Sequence, residues 1–228
     1  MTMTLVPDAA PRGRFISFEG GEGAGKSTQI RLLAERLDAA GIRAIVTREP
    51  GGSPGAEIIR HVVLSGMGKL LGAEAETLLF AAARDDHVHA VIEPALAQGV
   101  WVLCDRFSDS TRAYQGSLGE VAPALLNAME RVTIGALKPD LTVILDVPVE
   151  IGMKRAATRR GQGVPDRFEA EGVKFHQQLR EAFRQIVVRE PHRCVLIDAD
   201  MNADNVAAQI WATLNERVLS KQVENISA

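Results

Sequence analysis

Cysteine is scarce in this sequence: Cys104 and Cys194 are the only two among 228 residues. Each sits in an apolar run, WVLCDRF and HRCVLID, so both read as buried thiols rather than as a metal pair or a disulfide. An excess of positive charge is lacking too. Lys and Arg total 26 against 29 Asp and Glu, a net −3, whereas a general nucleic-acid binder needs a basic surface. No nucleic-acid partner is expected, and any phosphate recognition must come from a local site. No apolar run reaches the roughly 18 residues that span a bilayer, so no membrane association is expected. The opening stretch MTMTLVPDAAPRGR has no basic head followed by an apolar segment, so no secretory signal is read and a cytoplasmic location is expected. Metal-ligand spacing is missing among His61, His87, His89, His176 and His192, and none of them is given a catalytic role.

What is present is an alternation of short apolar runs with longer helical patterns. The runs are residues 15–18, 44–46, 100–104, 141–145 and 194–197. Near-continuous β-branched runs are what strands covered on both faces require. The first four lead into helical stretches beginning near Lys26, Pro54, Ser108 and Glu150. Five strands separated by helices imply an α/β fold with a parallel sheet and right-handed crossovers. No internal repeat or low-complexity tract interrupts this pattern. The expectation is a single domain over 1–228, ordered from about 13 to 220, with frayed ends.

The first run leads into Gly20-Gly21-Glu22-Gly23-Ala24-Gly25-Lys26-Ser27-Thr28, which fits G-x-x-x-x-G-K-[ST]. Glycines let such a loop fold back so that several backbone N–H groups face one anion. The helix that follows adds the positive end of its dipole. Lys26 can reach the β- and γ-phosphates of a nucleotide, and Ser27 can ligate Mg²⁺. Lys26 is expected to stand open to the ligand rather than packed. Alone, this motif specifies a nucleotide-phosphate binder.

Other features narrow the class. A GTPase needs an [NT]-K-x-D element, and Leu137-Lys138-Pro139-Asp140 lacks the amide or hydroxyl and carries a proline. The third run ends in Asp105-Arg106-Phe107-Ser108, without the glycine of a GTPase switch. A motor-type ATPase would carry a second acidic residue where this chain has Arg106. An arginine there puts a planar, bidentate cation opposite the phosphate loop. That suits a second phosphate group, as in a phosphotransferase. Asp105 would then lie near Mg²⁺, directly or through water.

At this point four blocks come together: E-G-x-E-G-A-G-K-[ST] at 19–27, T-R-E-P-G-G at 47–52, LLFAAAR at 78–84, and D-R-x-x-x-S-x-x-A-Y-Q at 105–115. With them the chain resembles the bacterial thymidylate kinases over about residues 14–200. The resemblance implies a P-loop kinase core of five parallel strands in the order 2-3-1-4-5, usually working as a homodimer. It implies ATP with Mg²⁺ as phosphate donor and dTMP as acceptor, giving dTDP. Another deoxynucleotide or deoxynucleoside kinase is the nearest rival, and a P-loop regulatory ATPase a more distant one.

Glu76, Phe80 and Arg84 share one helix face with His87 or Val88. An aromatic ring with an arginine one turn on can stack a base and donate to its rim. In the family the phenylalanine stacks on thymine and the arginine binds its carbonyl edge. Thr111 and Gln115 lie one turn apart and can face the base, and the family sets the tyrosine, here Tyr114, against the sugar at C2′. The blocks also bring Arg48, Pro50 and Ser110 to the acceptor side. The family counterpart of Glu22 binds the region of the acceptor's 3′-hydroxyl or a metal-bound water. Positions 21–24 hold no basic residue, and family members of this kind supply the catalytic arginine from a mobile lid instead. The lid candidate runs from about 155 to 169. Gly161, Gly163 and Pro165 break its helix, Arg159, Arg160 and Arg167 are the candidate arginines, and Asp166 and Glu169 would orient them or touch the acceptor sugar.

Overall fold

The computed structural model describes residues 11–119, 121–163 and 167–220. The ends expected to fray, as well as Pro165 and Asp166, lie outside the described residues or largely so. Five strands form one parallel sheet: β1 (Phe15–Gly20), β2 (Ala44–Arg48), β3 (Trp101–Asp105), β4 (Leu141–Asp146) and β5 (Cys194–Asp198). Their order is β2-β3-β1-β4-β5, as the resemblance implies. Each strand begins within a residue of its apolar run and continues one or two residues past it, through Gly20, Arg48, Asp105, Asp146 and Asp198. These extensions are polar because they reach the carboxyl edge of the sheet, where open α/β sheets bind ligands.

Alternate side chains of the central strands serve opposite faces. Ile16, Phe18, Leu103, Leu141, Val143 and Leu145 join one core cluster beneath α1 (Lys26–Ala39) and α9 (Ala203–Leu214). Phe15, Val102 and Cys104 face the other side, under Val88 and Ile92, just past the end of α3 (Ala73–His87), and under α4 (Glu93–Ala97). Ile144 meets α8 (Val173–Arg189). Both cysteines are buried and free. α3 passes into α4 through a π-helical turn, Val88–Ile92. Pro94, in the first turn of α4, has no N–H to offer the preceding turn, which accounts for the local change of hydrogen bonding.

The second face also buries a polar ladder. Ser17 and Thr142 are register partners with hydroxyls 2.8 Å apart. Asp109, in the short helix α5 (Ser108–Thr111), is fully buried. It accepts both arms of the Arg193 guanidinium at 2.7 and 2.8 Å, so the charge is paired where no water reaches it. This pair anchors the segment that follows β3, and hence the side chains that segment carries. Two further helices frame the site: α2 (Pro54–Leu64) and α7 (Val149–Arg160). α6 (Pro123–Thr133) lies against α3.

Candidate active site

A cleft of about 410 Å³ opens at the carboxyl edge of the sheet. At one end lies the phosphate loop. Gly25 takes a left-handed conformation, φ 94°, and no acidic residue occupies the first turn of α1, so the amide ends and the helix dipole are left for an anion. Glu22 to Thr28 line the cleft, while Gly20 and Gly21 line a smaller cavity behind it. Gly23 is set by contact with α7. A methyl group there would overlap the carbonyl oxygen of Gly152, and one at Gly152 would come within 2.5 Å of the Glu22 carbonyl oxygen. Loop and helix therefore touch backbone to backbone.

Lys26 differs from expectation. It is only 8% exposed, and its ammonium donates to the carbonyl oxygens of Gly20 and Gly21 at 3.3 and 3.1 Å. The cation is folded onto its own loop, because those carbonyls are the acceptors within reach. Burial, and then Arg106, hold its pKa below the usual lysine range. Ser27 donates its hydroxyl proton to Asp105 at 3.0 Å. Among the described residues no group of three or more His, Cys, Asp or Glu could hold a metal. The Ser27–Asp105 pair fits an ion that takes most of its ligands from phosphate and water, as Mg²⁺ does.

Arg106 stands at the centre. It is the only non-glycine residue with positive φ among the described residues, at 72°, a conformation costing roughly 1–3 kcal/mol that surrounding contacts must hold in place. Its guanidinium donates to Gly20 O at 3.1 Å, Ser110 Oγ at 3.3 Å and Glu22 Oε1 at 2.8 Å. Burial would push the Glu22 carboxyl up, but Arg106, Lys26, Arg159 and His176 together hold it down, so Glu22 is an anion. The Tyr114 hydroxyl also donates to it, at 3.4 Å.

Glu19 carries no local signal of a role in the sequence, although it opens the first family block. It is fully buried. Its carboxyl accepts from the Phe107 amide at 2.7 Å and the Ser110 hydroxyl at 2.6 Å, clasping the turn that carries Arg106. Burial first, and then Asp109, push its pKa up to about 7.

The other end of the cleft is partly aromatic. Phe80 is half-buried, its ring 6.4 Å from that of Phe168, and Tyr114 meets Phe168 edge-on at 5.0 Å. Arg48, Glu49, Pro50, Arg84, Ser110, Thr111 and Gln115 complete this part. Arg84 is 7% exposed and held on three sides: Nε donates to Glu49 at 2.7 Å, Nη1 to Thr111 at 3.0 Å and Nη2 to Phe107 O at 3.1 Å. Glu49, which no local pattern marks, and His87 meet behind it: the His87 ring lies 3.1 Å from Glu49. The common face expected for Glu76, Phe80, Arg84 and His87 or Val88 divides its work. Glu76 turns to Arg167, Phe80 and Arg84 to the cleft, and His87 inward.

The three candidate lid arginines part company. α7 ends at Arg160, and Gly161 follows with φ 59°. Arg159 lines the cleft and donates to Glu169 at 3.0 Å with its side chain 62% exposed. Arg160 takes the other oxygen of Glu169, at 2.9 Å, and lies off the cleft. Arg167 pairs with Glu76 and stacks over Phe168 at 4.8 Å, so it too lies off the cleft. Glu169 and Phe168 line it. Asp166 lies outside the described residues.

A family model described as thymidylate kinase matches residues 18–210. Curated thymidylate kinases are similar over nearly the whole chain. One from Nitrobacter hamburgensis is 75% identical over 219 residues, covering 94% of this chain and 95% of its own. One from Rhodopseudomonas palustris is 73% identical, covering 96% and 95%. One from Bradyrhizobium diazoefficiens is 69% identical over 227 residues, the full length of both.

Proposed function

The chain belongs to the thymidylate kinase family, and on that premise we propose how its cleft passes a phosphoryl group from ATP to dTMP, giving dTDP and ADP. The observation that carries the proposal is the position of the Arg106–Glu22 pair, between the phosphate loop at one end of the cleft and the aromatic end with Phe80 and Arg84 at the other. A hydrolase has no need of that second end. ATP phosphates lie on the backbone amides of residues 20–28, with Lys26 against the β- and γ-groups. Thymine stacks on Phe80, with Arg84 donating to its carbonyl edge and Thr111 and Gln115 beside it. Arg48, Pro50 and Ser110 close the acceptor side. The Tyr114 ring fills the space that a 2′-hydroxyl would need.

The acceptor phosphate has a second pKa near 6, so it is largely ionised at neutral pH and needs no general base. The difficulty is the approach of two polyanions and the charge spread in a loose in-line transition state. Lys26, Arg106 and Arg159 meet that charge from three directions. In the free protein each is engaged with a loop carbonyl or a carboxylate, and phosphate oxygens replace those partners on binding. Arg106 leaving Glu22 frees that carboxylate for the acceptor's 3′-hydroxyl, and Glu169 is released from Arg159 in the same way. Mg²⁺ held by Ser27, with Asp105 through water, would neutralise charge on the donor phosphates. A homodimer is supported by exposed apolar side chains on α2, α3 and α6, at Ile58, Leu78 and Val132. A cytoplasmic site of action is in keeping with dTTP supply, and no helix among the described residues is long and apolar enough to cross a membrane.

Coupled ADP release measured over dTMP, thymidine, dUMP, dGMP and AMP tests the proposal. dTMP should give the highest kcat/KM. Faster turnover of thymidine or dGMP would reassign the acceptor pocket, and ADP release independent of any acceptor would leave only a nucleotide-binding ATPase.

A further inference from the structure

Behind Arg84 a chain of polar groups that the transfer itself does not use runs from Glu49 at the cleft wall through buried His87 to half-buried Thr47. The Arg84 guanidinium donates from Nε to Glu49 Oε2 at 2.7 Å. The other oxygen of that carboxylate lies 3.1 Å from His87 Nδ1, and His87 Nε2 lies 2.7 Å from the Thr47 hydroxyl. His87 is 0% exposed and Glu49 6%. A carboxylate beside an arginine only accepts, so Nδ1 carries a proton and donates to Glu49. Nε2 pairs with the Thr47 hydroxyl, which can donate or accept. Every atom of the chain is thereby used, and Glu49 is held from both sides.

The backbone around this chain is shaped to admit it. Gly52 has φ 90°, and a methyl group there would come within 2.5 Å of both His87 Nε2 and Thr47 Oγ1. Thr47, Glu49 and Gly52 of the T-R-E-P-G-G block thus converge on one imidazole, which reaches them from α3. The segment is built around a histidine that never touches the cleft.

We propose that His87 is a positioning residue for acceptor recognition: through Glu49 it fixes the plane of Arg84, and so the direction in which that guanidinium donates to the base. This rests on the acceptor reading of Arg84 given above. With His87 gone, Glu49 Oε1 loses its buried donor, the carboxylate can turn, and Arg84 loses the acceptor that aligns its Nε edge. The donor end of the cleft has no part in this chain.

The test is steady-state kinetics on His87→Leu, His87→Asn and Thr47→Val, with thermal melting recorded for each. His87→Leu should raise KM for dTMP on the order of tenfold, with kcat and KM for ATP changed less than about twofold. His87→Asn, whose side-chain amide can donate from near the Nδ1 position, should recover most of the loss. Thr47→Val removes only the hydroxyl partner of Nε2 and should raise KM for dTMP by about threefold, which keeps the test intact if His87→Leu does not fold. A normal KM for dTMP in His87→Leu and Thr47→Val overturns the proposal. So does a rise in both Michaelis constants together, or no recovery with His87→Asn. A wild-type protein without dTMP-dependent ADP release would instead sink the acceptor reading itself.

Discussion

At the acceptor end of the cleft Arg84 is 7% exposed and fixed by three acceptors; at the lid end the Arg159 side chain is 62% exposed and shares Glu169 with Arg160. The first guanidinium keeps its partners when a base arrives and donates with the N–H groups left over. The second must exchange a carboxylate for a phosphate before it can act. A preformed recognition site binds the ground state, whereas a cation delivered late serves the transition state. The two ends should therefore fail differently when cut, one in KM and the other in kcat.

The sharpest break lies in the phosphate loop. Lys26→Ala should lower kcat by about 10³ and leave the fold in place, since the lysine's hydrogen bonds go to loop carbonyls that water can satisfy. Rapid-mix turnover beside a thermal melt checks this, and substantial activity in a folded variant would remove Lys26 from the chemistry. Next come the lid arginines. Arg159→Ala should lose about a hundredfold in turnover, with dTMP affinity by calorimetry changed less than about fivefold. Arg160→Ala and Arg167→Ala, whose side chains lie off the cleft, should lose far less. If Arg160 or Arg167 proved the larger loss, the lid would have to rearrange before transfer.

The acceptor end supplies the opposite signature. Phe80→Ala and Arg84→Ala should each raise KM for dTMP by roughly tenfold, the worth of one stacked base or one charged hydrogen bond, while KM for ATP stays put. A larger change for ATP would interchange the two pockets. The smallest effect on turnover is expected at Glu19, whose part is in stability: the fold holds it protonated up to about pH 7 against 4.5 for the free side chain. Its folded pKa is raised, so its contribution to stability is complete below about 4.5 and is lost as pH rises through 7. The loss amounts to roughly 3 kcal/mol at alkaline pH. Glu19→Gln should gain on the wild type between pH 5 and pH 8, by a few degrees of melting temperature. Parallel melting curves across that range would mean that Glu19 is not titrating there.

The sheet was legible because strands buried on both faces must be apolar, and the runs at 15–18 and 141–145 show it. The same signal fades where the site begins: Asp105 and Arg48 belong to strands but break the apolar pattern, because their side chains serve the cleft. Lys26, Arg84 and Arg106 could be picked out because glycine spacing, helix periodicity and a charge at a strand end are local signals. Glu19 and His87 could not. Their partners lie 88 and 38 positions away, and a buried carboxyl or imidazole has no period of its own. Arg159, Arg160 and Arg167 looked alike for a related reason, since only folding sends one of them to Glu76 and another to the cleft.

The two glycines that let α7 rest on the phosphate loop, Gly23 and Gly152, turn that helix into a ruler. From Gly152 to Arg159 is seven residues of continuous helix, about 10 Å and two full turns. Arg159 therefore leaves the axis on nearly the side by which Gly152 touches the loop. The reach of the guanidinium is counted in peptide units from a fixed zero mark, not set by the loop beyond it. One residue added or removed within that interval would turn Arg159 by about 100° around the axis and point it into solvent, with every side chain of the cleft still in its place.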